Sequence, residues 1–296
     1  MSFNFNSILS LLEDPNEEIF QEVEAAILTD AQKYEMAVNQ AIDENTNVLV
    51  HKRLLTIQRK INFSKIGNDI WMWFQDEEKD LLNGMLLVNK IKSSHQGNAE
   101  LLKTFISQLK RNIWIELNNY LTPLEQIHVL NSIFYNYYGI YTEDLGTTVF
   151  DSRSFYLDTI FHDKLGNRFS IACLYVYICQ HFDIPIHAIY LDNQELFLAY
   201  YSNVVFDNDY NIACYINPSM GSVLSHLEVV SMLKAQEIYI QPSQFKPISK
   251  AGLLALLLKQ LQFSCIVEQD FATADFLKAL NMRIAQIVDS NSYLND

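Results

Sequence analysis

The chain has 296 residues, a hydrophobic content of 49%, an aromatic content of 12% and a formal net charge of −14 at pH 7. A chain of this length and apolar content predicts a folded protein of two or three domains and excludes a disordered one. The acidic surface argues against nucleic acids and anionic membranes as partners, because their phosphates would be repelled.

No segment of the sequence predicts a membrane or export signal. The first residues, MSFNFNSILSLL, contain no basic stretch and no small-residue cleavage site, so they do not fit a signal peptide. The longest apolar runs, such as Leu253–Leu258, are too short to cross a bilayer. We therefore expect a soluble, cytoplasmic protein.

The first 140 residues are predicted to be helical throughout. Asp14 and Pro15, followed by Glu17 and Glu18, are typical of a helix start with Asp14 as the N-cap. Short helices in series suggest a HEAT-like array over residues 1–140, although no clean repeat period is found. Further helices are predicted at 30–42, 47–60, 63–75, 77–90, 98–120 and 122–138.

Two local patterns stand out in this region. Thr122, Pro123 and Glu125 form a capping-box pattern at the start of the helix predicted at 122–138. The sequence WMWF at 71–74 is either a binding surface or part of a core. Aromatic residues at helical spacing favour the core.

The middle of the chain changes character after a polar connection, YTEDLGTTVFDSR, at 141–153. Helices are predicted at 154–162 and 168–182, with a Gly166–Asn167 turn before the second. Three β-like runs then follow, separated by polar turns. They are Ile186–Leu191, Leu196–Tyr201 and Ile212–Ile216.

The last part of the chain is predicted to return to helix. Ser225–Lys234 forms one helix, and Ser249–Phe263 and Asp270–Val288 form an antiparallel pair. The pair has the form of one tetratricopeptide-style hairpin. The predicted domains are therefore 1–140, 141–235 and 236–296.

The cysteines and histidines give little support for disulfides or metals. No CxxC pair and no HxxxH or HExxH spacing occurs, so we predict free thiols, no metal site and no cofactor. Buried free thiols are the expected state. The cysteines are Cys173, Cys179, Cys214 and Cys265.

Several segments together resemble one protein family. LTPLEQIHVLNSIFY at 121–135, LGNRFSIACLYVYICQHFDIPI at 165–186 and YINPSMGSVLS at 215–225, with helices on both sides, are similar to the SirB-type branch of transglutaminase-like proteins. The resemblance covers nearly the whole chain. It implies an α+β, mostly α fold: an N-terminal helical array, a papain-like α/β core with a small antiparallel sheet, and a C-terminal helical hairpin.

The superfamily's chemistry requires a Cys at the start of the core helix, a His on the next strand and an Asp on the strand after it. By the resemblance, the Cys position falls at or near Arg168, the His position near Glu195 and the Asp position at Asn217. The nearest hydroxyl is that of Ser170. All three catalytic roles are therefore predicted to be vacant, so that no catalytic residue is assigned.

The residues left in this vestigial cleft, Arg168, Ser170, Glu195 and Asn217, have ordinary structural explanations. We expect Ser170 to cap or pack the helix start and Asn217 to bond the adjoining turn. Arg168 is either solvated or paired with an acid such as Asp163 or Glu195.

Three functional hypotheses follow. The leading one is a catalytically inactive, transglutaminase-like protein that binds or scaffolds a protein or peptide partner. The alternative is a cysteine hydrolase or acyltransferase that uses Cys173 with a displaced base, His162 or His187. A third is a structural protein whose partner binds the N-terminal helices. The sequence leaves the oligomeric state open.

Overall fold

The computed structural model describes residues 5–92, 99–142, 151–191, 195–202, 211–237 and 245–292. The chain divides into two compact units, Met1–Asp69 and Ile70–Asp296. The three domains predicted from the sequence divide the chain differently, and their boundaries stay a prediction.

The first unit is helical. It contains α1 (Phe5–Leu12), α2 (Glu17–Thr29), α3 (Ala31–Glu44) and the first part of α4 (Val48–Gln75). The apolar positions that recur at helical spacing form one core, which includes Leu12, Ile27, Val38, Val50, Leu54 and Ile57, each with an exposed fraction of 0%.

Arg53 is a buried base in this core, and it binds carbonyl groups at and just after the end of α1. Its guanidinium donates to the carbonyls of Leu12 and Asp14 and pairs with Glu17 at 3.3 Å. It also lies 4.8 Å from the centre of the Phe20 ring. These contacts explain how a charged side chain is accommodated in the core.

The start of α2 differs from the sequence prediction. Asn16, not Asp14, is the N-cap, and its side chain accepts from the backbone N–H of Glu18. Asp14 accepts from the N–H of Asn16 instead, at 2.9 Å. The two helices predicted at 47–60 and 63–75 are one continuous helix, α4, because nothing between them breaks the backbone pattern.

The second unit begins with the end of α4, which is followed by α5 (Leu81–Lys92), α6 (Ala99–Glu116) and α7 (Pro123–Asn131). The capping box at Thr122 and Glu125 is confirmed. The helix predicted at 122–138 changes form partway along, because α7 is followed by a π-helix at Ser132–Tyr137. Trp73 and Phe74 are buried, in agreement with the core interpretation of the WMWF sequence.

A four-stranded antiparallel sheet forms the β part of this unit, in the order β3 (Ile186–Tyr190), β4 (Leu196–Tyr201), β5 (Ile212–Ile216) and β6 (Val223–Leu224). The three predicted strands are confirmed within one residue. A short parallel pair, β1 (Tyr141–Thr142) and β2 (Leu165–Gly166), was not predicted.

Five further helices and a 3₁₀ turn complete the described part of this unit. The 3₁₀ turn is Ser152–Phe155, and the helices are α8 (Leu157–Asp163), α9 (Arg168–His181), α10 (His226–Ala235), α11 (Lys250–Val267) and α12 (Phe271–Ser292). The buried helix α9 packs against β3 and β4, and α10 packs against β5. α12 follows α11 and packs along it. The fold is α+β and mostly helical, as predicted.

One described helix, α11, is long and apolar enough to cross a membrane by length and composition alone. It is 18 residues long, whereas the sequence analysis considered only shorter apolar runs. It packs against α5, α9 and α12, and its leucines at 253, 254, 257, 258 and 261 are buried. A core helix meets the same criterion, so this feature is weak evidence for a span.

Candidate functional site

The start of α9 is fixed by the side chain of Asn167. This residue is the N-cap, its exposed fraction is 1%, and its Oδ1 accepts from the backbone N–H groups of Phe169 and Ser170 at 2.9 and 3.0 Å. Its Nδ2 donates to Ser154 Oγ at 2.9 Å. The N–H groups of Phe169 and Ser170 are therefore engaged by the cap and are not available to a substrate oxyanion.

Gly166 is required by close packing and does not form the predicted turn. It lies in β2, and a Cβ atom added there would come 2.7 Å from the Ile171 side chain. Only a hydrogen atom fits between this strand and the first turn of α9. The glycine thus allows β2 to lie directly against the start of α9.

Ser170 is the hydroxyl nearest to the predicted nucleophile position, and it is fully buried. Its Oγ accepts from the N–H of Asn167 at 3.0 Å and donates to the carbonyl of Ser154 at 2.7 Å. Both arms of a capping box are present. The hydroxyl therefore has the capping role that the sequence predicts, and its hydrogen is already engaged.

Arg168 and Glu195 form an ion pair across the start of α9 and the start of β4. Arg168 Nη1 lies 3.5 Å from Glu195 Oε2, and the exposed fractions of the two side chains are 15% and 24%. Of the two states predicted for Arg168, solvated or paired with an acid such as Asp163 or Glu195, the structure shows pairing with Glu195. The pair offsets the unfavourable position of a cation at a helix N-terminus.

Asn217 lies in the turn after β5, and its described hydrogen bonds are local. Its Oδ1 accepts from the N–H of Ser219 at 2.8 Å, and its backbone bonds Ser222 and Gly221. This is the turn role predicted for Asn217.

The turn after β5 also anchors the π-helix. Tyr135 Oη donates to the carbonyl of Pro218 at 2.8 Å, and Asn131 Nδ2 donates to the carbonyl of Gly221 at 2.6 Å. Tyr175, on α9, donates to Asn131 Oδ1 at 3.0 Å. Burial raises the pKa of the Tyr135 and Tyr175 hydroxyls, so both remain protonated donors.

The described thiols are all buried. Cys173 and Cys179 have exposed fractions of 0%, and burial raises the pKa of both. Burial also raises the pKa of Cys214, to about 11. A thiol attacks as the thiolate, and the environment of these thiols opposes its formation.

The two histidines considered as displaced bases have other partners. His162 is exposed and pairs with Asp158 at 3.3 Å. His187 lies on β3 with its ring 5.5 Å from that of Tyr201, and burial lowers its pKa. Neither residue has a described hydrogen bond to Cys173. Among the described residues, no group of three His, Cys, Asp or Glu side chains is placed to hold a metal ion.

Residues 100–259, more than half of the chain, match the family model of the transglutaminase-like superfamily. The chain belongs to this superfamily. A search of curated proteins and a search of solved structures each gave no significant match.

In this transglutaminase-like protein, the structure brings together two of the four residues assigned to the vestigial cleft. Arg168 and Glu195 are in contact, Ser170 lies in the same first turn of α9 but is buried, and Asn217 is engaged in its own turn. Sequence reasoning missed Ser154 as the partner of Ser170. The hydrogen bond between Ser154 and Ser170 joins residues 16 apart in the chain, and no helical or strand periodicity in the sequence indicates it.

Proposed function

We propose that this chain is a catalytically inactive member of the transglutaminase-like superfamily, of the SirB-type branch, and that it acts in the cytoplasm as a protein-binding or scaffolding module. The proposal has two parts, the loss of cysteine chemistry and the presence of a binding function. Each part has its own test.

The Arg168–Glu195 ion pair carries the first part. By the family resemblance these are the positions of the nucleophile and the base, which must contact each other for the base to activate the nucleophile. Here the same two positions are joined by a 3.5 Å contact between a guanidinium and a carboxylate. Neither group is a nucleophile activated by a general base, so the contact is structural.

The buried thiols support the same conclusion. Cys173 is one turn further into α9 than the nucleophile position, its exposed fraction is 0% and its pKa is raised. An enzyme that used Cys173 would need both access for substrate and a route for its proton. His162 and His187 have their described contacts elsewhere.

Residue-resolved alkylation tests the first part. Native protein is treated with iodoacetamide near pH 7, and the labelling rate of each cysteine is compared with that in the denatured chain. We expect all four cysteines to be slow in the native protein, because the thiols are buried. Fast, selective labelling of Cys173 would overturn the proposal and favour the alternative, a cysteine hydrolase or acyltransferase.

Binding experiments test the second part. A genuine partner should bind the native chain and the Cys173→Ala variant with the same affinity, because the thiol takes no part in binding. A loss of binding or turnover confined to Cys173→Ala would contradict the scaffolding role. Truncation near residue 145 separates the third hypothesis, which requires the N-terminal fragment alone to retain the partner.

A further inference from the structure

A pocket of about 600 Å³ lies away from the vestigial cleft, between the end of α6, α7 and the π-helix. This volume is in the range of known ligand sites. The pocket lies inside the family-matched segment. Its lining residues are Asn112, Ile115, Glu116, His128, Val129, Ser132, Ile133 and Tyr137.

The lining of the pocket combines apolar and polar side chains and is open to solvent. Ile133 is buried and Val129 is half-buried, whereas Glu116, Ser132 and Tyr137 are exposed. Trp114 and Leu124, on the helices that form the pocket, are 69% and 51% exposed. A side chain of another protein can enter such a site without any movement of a lid.

Several polar groups of the pocket have no partner within the described part of the chain. The carboxylate of Glu116 and the hydroxyls of Ser132 and Tyr137 make no hydrogen bond or ion pair there. Among the bases of α6, Lys110 is engaged elsewhere, since its Nζ lies 3.5 Å from Tyr177 Oη and over that ring, and Arg111 is exposed and does not line the pocket. The lining also contains the exposed side chain of His128. The pocket therefore presents one unpaired carboxylate, in a chain whose net charge is −14.

The π-helix gives this wall of the pocket a fixed shape. Tyr138 donates its backbone N–H to Ile133, five residues earlier, at 2.9 Å. The wider turn puts Ser132, Ile133 and Tyr137 on the pocket side, and π-turns of this kind occur frequently at functional sites. The other side of the segment is anchored through Asn131 and Tyr135, so binding would need little further ordering.

We infer that this pocket binds an arginine side chain of a partner protein, together with an adjacent apolar residue. The inference rests on the proposed function, because it names the site and the partner chemistry of the binding module. The guanidinium pairs with the Glu116 carboxylate and stacks on the ring of Tyr137. The apolar neighbour packs on Val129 and Ile133.

The test uses methyl-labelled full-length protein and two small probes. One is the N-acetyl methylamide of arginine, and the other is the same compound made from citrulline, which is isosteric but uncharged. The methyl resonances of Ile115, Val129 and Ile133 report on the pocket. We expect them to shift with the arginine probe and to shift at least about tenfold less with the citrulline probe at equal concentration.

Two substitutions on the same helix, α6, localise the charge. Glu116→Gln should weaken binding of the arginine probe about tenfold. Glu100→Gln is the matched control: it removes an exposed acid at the other end of α6, which pairs with Lys103, and should leave binding unchanged.

Tyr137→Phe should keep the affinity and Tyr137→Ala should lower it, because the ring and not the hydroxyl makes the contact.

Three results would overturn the inference. These are no methyl shifts at 10 mM probe, equal shifts with citrulline, or equal losses in Glu116→Gln and Glu100→Gln. A failure of this kind leaves the slow alkylation of the cysteines unaffected, so it is distinguishable from a failure of the proposed function. Fast labelling of Cys173, in contrast, overturns the proposed function whether or not arginine binds.

Discussion

The vestigial cleft and the pocket of the second unit differ in how their polar groups are used. At the cleft, Asn167 and Ser170 are buried and bonded to each other, and Arg168 is paired with Glu195. At the pocket, Glu116 is exposed and has no partner among the described residues. Polar groups that satisfy each other stabilise a fold, whereas polar groups left open to solvent remain available to a ligand. In our proposal, the position of the family's catalytic residues and the binding site of this chain are therefore different places.

The largest expected effect comes from placing a thiol back in the cleft. In the double variant Arg168→Cys/Glu195→His, the introduced thiol lies at the N-terminus of α9 beside an imidazole, and both lower a thiol pKa. We expect it to react with iodoacetamide near pH 7 about 100-fold faster than Cys173. Residue-resolved mass spectrometry measures both rates in one sample.

Thr104→Cys is the control for this variant, because position 104 is exposed in the interior of α6. Its thiol should react at an ordinary rate, between the other two. Equal rates at positions 104 and 168 would mean that the cleft no longer activates a thiol. The cleft could then not be described as a former catalytic site that differs from the pocket in this respect.

The second prediction concerns the anchor of the pocket wall. Gly221 has φ +70°, and a Cβ atom there would lie 2.5 Å from the Tyr135 ring. Gly221→Ala should therefore lower the free energy of unfolding by about 2–4 kcal/mol, from backbone strain and overpacking together. Urea denaturation measures this change.

Gly139→Ala separates the two causes. Gly139 has φ +63° but no atom within 4 Å of an added Cβ, so this variant should lose only the backbone part, about 1 kcal/mol. If both variants lost the same amount, the contact between Tyr135 and the turn would contribute nothing to the anchor.

The third prediction compares one serine in each region. Ser170→Ala removes a buried hydroxyl that caps α9 and bonds Ser154, and should cost about 1–2 kcal/mol. Ser132→Ala removes an exposed hydroxyl of the pocket with no described partner and should change stability by less than about 0.5 kcal/mol. Urea midpoints of the two variants give the difference directly, and a reversed order would contradict our description of both regions.

The last prediction is a change in the pH dependence of stability, which is seen only above about pH 8.5. The pKa of Cys173 is raised in the folded state, so above the ordinary thiol pKa of about 8.5 the unfolded chain loses a proton that the folded chain keeps. The contribution of this thiol to the free energy of unfolding is therefore fully present below that pH. Above it, the free energy of unfolding falls by about 1.4 kcal/mol per pH unit. Cys173→Ala should reduce the slope between pH 9 and 10 by about this amount. An unchanged slope would mean that the thiol is ionised in the native protein.

The parts of the fold that the sequence predicted are those with local signals. Thr122 and Glu125 contact each other within one turn, so a capping box can be read directly from the residue order. The strands of the sheet were predicted because apolar runs bounded by polar turns define them. The buried α9 followed from a helix that is apolar on nearly every face.

The parts that were missed depend on contacts between distant segments. Nothing near Tyr135 indicates that its hydroxyl bonds Pro218, 83 residues later, or that the helix there widens into a π-turn. In the same way, the choice of Glu195 over Asp163 as the partner of Arg168 is made by packing of β4 on α9. For the site, the sequence named the residues of the cleft but did not find the pocket, whose lining comes from three helical segments.

The π-helix also sets the phase of the chain that follows it. In an α-helix each residue turns the chain by about 100°, so one residue more or less rotates everything downstream by that angle. The five-residue bond between Ile133 and Tyr138 absorbs one extra residue relative to an α-helical turn. A single deletion within 132–137 would return the segment to α-helical spacing while leaving the composition of the pocket almost unchanged. It would also remove one position from the wall that Ser132, Ile133 and Tyr137 form, so the proposed binding surface depends on the number of residues in this segment as well as on their identity.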